Sequence, residues 1–68
     1  MELIDRIVRN IDERRVSQNL TVDKLSKIAD IPLSTITKIR SKLVKDVRIT
    51  TLEALAKALK CSVDDLIK

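Results

Sequence analysis

Apolar residues along this chain recur at spacings of three and four. Leu3, Ile4, Ile7, Val8 and Ile11 form the first such stripe, which predicts a helix running to about Arg15 or Val16. A second helix is expected to open at Thr21, a good N-cap, with Leu20 before it and Leu25 four residues into it placed to staple the start. Its buried face reads as Val22, Leu25, Ile28 and Ala29. A third helix follows Pro32, because proline is tolerated only in a first turn or just outside it. Ile36, Ile39 and Leu43 are expected to face inward from it. Thr50 with Glu53 reads as a capping box opening a fourth helix, with Leu52, Leu55, Ala56 and Leu59 inside. Ser62 with Asp65 repeats the device for a fifth, stapled by Cys61 and Leu66, with Val63, Leu66 and Ile67 on its apolar side. No stretch alternates with period two and there is no internal repeat. The pattern predicts an all-α fold, residues 1–68 forming a single domain. Residues 43–49, LVKDVRI, fit either an extension of the third helix or a connecting loop. Their β-branched residues and dense charge favour the loop.

Composition narrows the picture. A chain of 68 residues folds with a thin margin, since a domain of this size buries only about 60% of its unfolded surface. Its 44% apolar content contains no aromatic residue, so the core must be aliphatic and no platform exists for stacking single-stranded bases. No apolar run approaches the roughly 20 residues needed to cross a bilayer. The opening MELIDRIVRN carries charge from its second residue and has no signal-peptide core. One cysteine cannot form an internal disulfide, and no histidine is present to complete a metal site. These features predict a soluble, cytoplasmic protein without metal or cofactor. With no histidine, no glycine loop and no carboxylates clustered about a nucleophile, nothing points to an enzyme.

Charge is unevenly spread. Residues 1–30 hold six basic and six acidic side chains, whereas residues 31–60 hold seven basic against Asp46 and Glu53. Five of those cations (Lys38, Arg40, Lys42, Lys45 and Arg48) fall between residues 38 and 48. Such polarity suits a surface that meets a polyanion; a solvated basic loop is the plainer alternative.

With helices of this length and order, residues 22–41, VDKLSKIADIPLSTITKIRS, resemble the helix-turn-helix of the Cro and lambda-repressor-like family (xenobiotic-response-element type). The likeness lies in Ser26 in the second helix, a turn at Asp30, Ile31 after it, and Ile36 and Ile39 beyond. NLT at 19–21 is similar to the family's lead into that helix, and TLEALAKALKCSVDDLI at 51–67 to its closing helices. The resemblance implies a compact five-helix DNA-binding domain. Departures are visible too. The family often has glycine at its turns, and this chain has none. Asn19, Asp30, Ser41 or Lys42, and Lys60 stand in those places. Asn and Asp enter the left-handed conformation at modest strain, whereas lysine does so at greater strain. Val22 stands where many members hold a phosphate with glutamine. Arg15 and Arg40 both fall where the family pairs an arginine with an acid, which implies that the pair is lost and that at least one arginine points at solvent or phosphate.

The resemblance further implies that the outer face of the third helix enters the major groove. With Ile36 and Ile39 inward, that face is Leu33, Ser34, Thr37, Lys38 and Ser41. Lys38 can donate to guanine O6 and N7, Ser34 and Thr37 can bond several bases, and Leu33 can meet a thymine methyl or instead cap the core. Candidate phosphate contacts are Thr21, Thr35, Arg40, Ser41, Lys42, Lys45 and Arg48. A single helix reads few base pairs, so a homodimer on a palindromic operator with half-sites about 10 base pairs apart is expected. Val44 and Val47 in the loop, or Leu66 and Ile67 on the last helix, are the candidate dimer surfaces. The implied function is a small dimeric repressor, prokaryotic or phage, nucleoid-associated, binding double-stranded DNA and no small molecule. The alternative is an antitoxin-like or anti-repressor subunit that uses the same fold to bind a protein. A purely structural helical domain fits the charge map less well.

Overall fold

The structure, a computed structural model, describes residues 2–44 and 46–68. Five helices follow the apolar stripes: α1 (Leu3–Ser17), α2 (Val22–Ala29), α3 (Leu33–Arg40), α4 (Ile49–Ala58) and α5 (Val63–Ile67). Helix α1 packs against α5 and α3, α2 against α3 and α4, and α4 against α5. Ile4, Ile7, Val8 and Ile11 of α1 meet Leu25, Ile36, Ile39, Leu52, Leu55, Leu59 and Leu66 in one aliphatic core. None of the described helices is long and apolar enough to cross a membrane.

The four turns between helices use one device, and it works without glycine. Asn19, Asp30, Lys42 and Lys60 have φ of 57°, 57°, 61° and 59°. In each case the next amide reaches back five residues to a helical carbonyl: Leu20 to Arg15, Ile31 to Ser26, Leu43 to Lys38 and Cys61 to Ala56, at 2.9–3.1 Å. The left-handed residue itself bonds three residues back. This double closure caps orphan carbonyls at the helix end. The turn after α3 is made by Lys42 and not Ser41, whose φ is −82°.

Helix starts are set partly as expected. The Thr21 Oγ1 accepts from the Lys24 amide at 3.1 Å. The Ser62–Asp65 box closes with two bonds of 3.1 Å. The Thr50–Glu53 box does not form. Helical bonding reaches back to the Arg48 carbonyl, which accepts from the Leu52 amide at 2.9 Å. Thr50 therefore lies inside the first turn, where its hydroxyl no longer faces the free amides. The described part of residues 43–48 is irregular, and Ile49 opens α4.

Three expected core residues are at the surface. Leu3 is 48% exposed, at the edge of its stripe in the first turn of α1. Ile28 is 57% exposed because α2 turns Leu25, Ser26 and Ala29 toward its neighbours, leaving Ile28 about 100° away from the middle of that face. Leu43, at 77%, follows the left-handed turn at Lys42 and has already left the axis of α3.

Candidate nucleic-acid interface

The α2–turn–α3 unit is fixed from beneath. Ser26 is buried, and its Oγ donates to the Asp23 carbonyl at 2.7 Å, so α3 can approach this small residue closely. Asp30 turns the chain, Ile31 packs half-buried over the core, and the Pro32 carbonyl accepts the Thr35 and Ile36 amides at 3.0 and 3.3 Å. Ile36 and Ile39 are then 1% and 3% exposed. Burying that pair fixes the rotation of α3 and drives Ser34, Thr37, Lys38 and Ser41 to the opposite, exposed side. Leu33 stands with them, 44% exposed and outside the core.

The expected phosphate contacts divide into groups with different environments. Thr21 is exposed; its cap uses an oxygen lone pair, which leaves the hydroxyl proton to donate. Thr35 is half-buried beside Lys38 and Arg48 in a cleft of about 440 Å³ between α3 and the segment that leads into α4. Ser41 spends its proton on the Lys38 carbonyl at 3.2 Å. Among the described residues, no ion pair engages Lys38 or Arg48. Arg40 and Lys42 behave otherwise. Arg40 Nε lies 3.0 Å from Asp12 Oδ1, and Lys42 Nζ lies 2.6 Å from Asp5 Oδ1. The expectation for Lys45 falls outside the described residues.

The arginine pair also resolves differently from expectation. Arg15 and Arg40 are not left to solvent: both bind Asp12 Oδ1, at 3.4 and 3.0 Å, and Arg15 Nη1 donates to the Leu20 carbonyl at 2.9 Å. An acid within α1 thus replaces one expected at position 40. Sequence reasoning missed Asp5 and Asp12, although a signal was there. They sit seven residues apart on one face of α1, and that face meets the basic end of α3. The hydrogen bond from Lys42, aided by its charge, holds the Asp5 carboxyl below its ordinary range.

The candidate dimer residues separate as well. Leu66 is fully buried in the core, where Asn10 Nδ2 donates to its carbonyl at 2.9 Å, and it offers no surface to a second chain. Val44, Val47 and Ile67 are half-buried against the core.

Comparison with known proteins agrees with this geometry. The Cro/C1-type HTH DNA-binding domain matches residues 10–68. The Bacillus subtilis (strain 168) protein called uncharacterized HTH-type transcriptional regulator YozG is 31% identical over 62 residues, covering 91% of this chain and 74% of that protein. No solved structure matches the chain. With both helices of the motif, their turn and the exposed face in place, the chain belongs to the Cro/C1-type helix-turn-helix DNA-binding family.

Proposed function

We propose that this protein is a sequence-specific transcriptional repressor that binds a palindromic operator as a homodimer and reads the major groove with α3. The observation that carries the reading is the outer face of that helix. Ser34, Thr37 and Lys38 are exposed, and among the described residues no hydrogen bond or ion pair occupies their side chains. Polar groups without internal partners, held on a helix whose rotation is fixed by Ile36 and Ile39, are what base edges require. Lys38 donates to guanine, Ser34 and Thr37 bond neighbouring bases, and Leu33 meets a thymine methyl. Thr21, Thr35 and Arg48 hold the backbone and set the register without reading sequence.

A second copy docks through Leu43, Val44, Val47 and Ile49, of which Leu43 and Ile49 are 77% and 64% exposed and Val44 and Val47 half-buried. In sedimentation equilibrium, Leu43→Lys should shift the protein toward monomer; an unchanged dimer would remove this surface from the account.

Fluorescence anisotropy on operator and scrambled duplexes separates the two classes of contact. Lys38→Ala should narrow the gap between the duplexes, losing the roughly 1–3 kcal/mol that one good base contact contributes. Arg48→Ala should weaken both duplexes alike and flatten the dependence on salt. If both variants lose affinity in the same sequence-independent way, the assignment of Lys38 to the bases is wrong.

A further inference from the structure

Four described cations lie between residues 38 and 48, yet they are not equivalent. Lys38 and Arg48 face the cleft beside α3 without an ion pair among the described residues. Arg40 and Lys42 are held to carboxylates on α1, at 3.0 and 2.6 Å. Both pairs remain accessible: the side chains of Arg40 and Asp12 are 38% and 31% exposed, those of Lys42 and Asp5 50% and 32%. A phosphate that approached either cation would therefore meet it already neutralised, with the carboxylate beside it.

We propose that Asp5 and Asp12 are specificity-determining residues that act as internal counter-ions, withholding Lys42 and Arg40 from the DNA backbone. Phosphate contacts supply affinity that is blind to sequence, so each basic residue freed beside α3 raises binding to every duplex. A carboxylate that must be displaced and then left beside a phosphate offsets that gain. Non-specific binding then rests on fewer cations, while the base-reading face of α3 keeps its full contribution. The same two contacts tie α1 to the end of the recognition unit, which keeps α3 in register on the core. Asp12 does this most directly, since one oxygen receives both Arg15 and Arg40. Lys42 holds the Asp5 carboxyl below its ordinary range, in keeping with that ion pair.

This inference rests on the DNA-binding reading, and one experiment separates the two. The full chain and the variants Asp5→Asn, Asp12→Asn, Asp5→Asn/Lys42→Gln and Glu13→Gln are titrated with a random-sequence duplex at several salt concentrations. Glu13 is exposed on α1 and, among the described residues, in no ion pair, so it controls for the added charge alone. Circular dichroism first establishes that each variant is folded. Asp5→Asn should bind the random duplex more tightly than Glu13→Gln does, with log K against log salt steeper by about 0.9 for the one cation released. Removing Lys42 in that background should return the slope to the wild-type value. Slopes for Asp5→Asn and Asp12→Asn equal to that of Glu13→Gln would overturn the counter-ion role while leaving DNA binding intact. Wild-type protein that bound no duplex even at low salt would instead overturn the functional reading, and this inference with it.

Discussion

Lys60 gives the sharpest test of how this chain folds without glycine. Its φ of 59° places Cβ against the following carbonyl oxygen, a conformation that costs an L-residue about 1–2 kcal/mol. Substituting glycine removes that cost but raises the entropy of the unfolded chain, an offset of about 0.5–1 kcal/mol. It also removes a cation from the end of α4, which is worth about 0.3 kcal/mol at an exposed site. No ion pair engages Lys60 among the described residues, so little else changes. Lys60→Ala removes the same charge and keeps Cβ, which makes it the matched reference. Lys60→Gly should therefore be more stable than Lys60→Ala by roughly 0.5–1 kcal/mol, or about 2–8 °C in Tm for a domain of this size. Lys57→Gly, inside α4, should lose about 1 kcal/mol. Urea and thermal unfolding of the three variants gives the comparison. If Lys60→Ala equalled or exceeded Lys60→Gly, the strain of the left-handed turn would be no larger than the entropic offset of about 0.5–1 kcal/mol, and the account of the glycine-free turns would fail.

Other consequences can be measured with the same methods. Leu25 is fully buried where α2 meets the core, so Leu25→Ala should cost about 2–5 kcal/mol, a large share of the stability of so small a domain; urea unfolding should show a population already unfolded in water or nearly so. Asn10 donates through Nδ2 to the carbonyls of Leu66 and Lys68 at 2.9 and 3.3 Å. Asn10→Leu leaves the Leu66 carbonyl without its side-chain donor, costing roughly 1–3 kcal/mol, while Arg9 Nη2 still donates to the Lys68 carbonyl at 3.1 Å; amide exchange should accelerate in α5 before the rest of the chain. Asp65 has its pKa lowered to about 2, chiefly by the Ser62 amide. Because the folded value lies below the unfolded one, the contribution is complete above about pH 4 and disappears as pH falls toward 2. The start of α5 should loosen in that window, seen as faster exchange of the Asp65 amide. Asp65→Asn should remove most of that pH dependence.

The helices were legible because the apolar stripes, N-caps and turn residues of this chain agree with one another. Ile36 and Ile39 alone fix which side of α3 is exposed, so that face followed from periodicity, while its base-reading role is what the family resemblance implies. Leu3, Ile28 and Leu43 were not legible, since each is apolar at the margin of a stripe and only tertiary packing decides whether a neighbour covers it. Thr50 and Glu53 failed for a related reason. The spacing of a capping box is indifferent to whether the preceding residues join the helix, and here Ile49 does. The pairing of Arg40 and Lys42 was hidden because Asp12 and Asp5 lie 28 and 37 positions away in sequence. A local reading of residues 38–48 sees a uniform basic run. The fold divides it into cations held by α1 and cations that face outward.

The claim at the centre of this account is that the exposed face of α3 reads bases. Selection from a random duplex library at near-physiological salt tests it most directly, with wild-type protein and Lys38→Ala run in parallel. The account predicts that wild type enriches a palindrome and that Lys38→Ala loses the preference at one position in each half-site, while the remaining positions persist. Enrichment of the same sequence to the same degree by both proteins, or of no sequence by wild type, would contradict it.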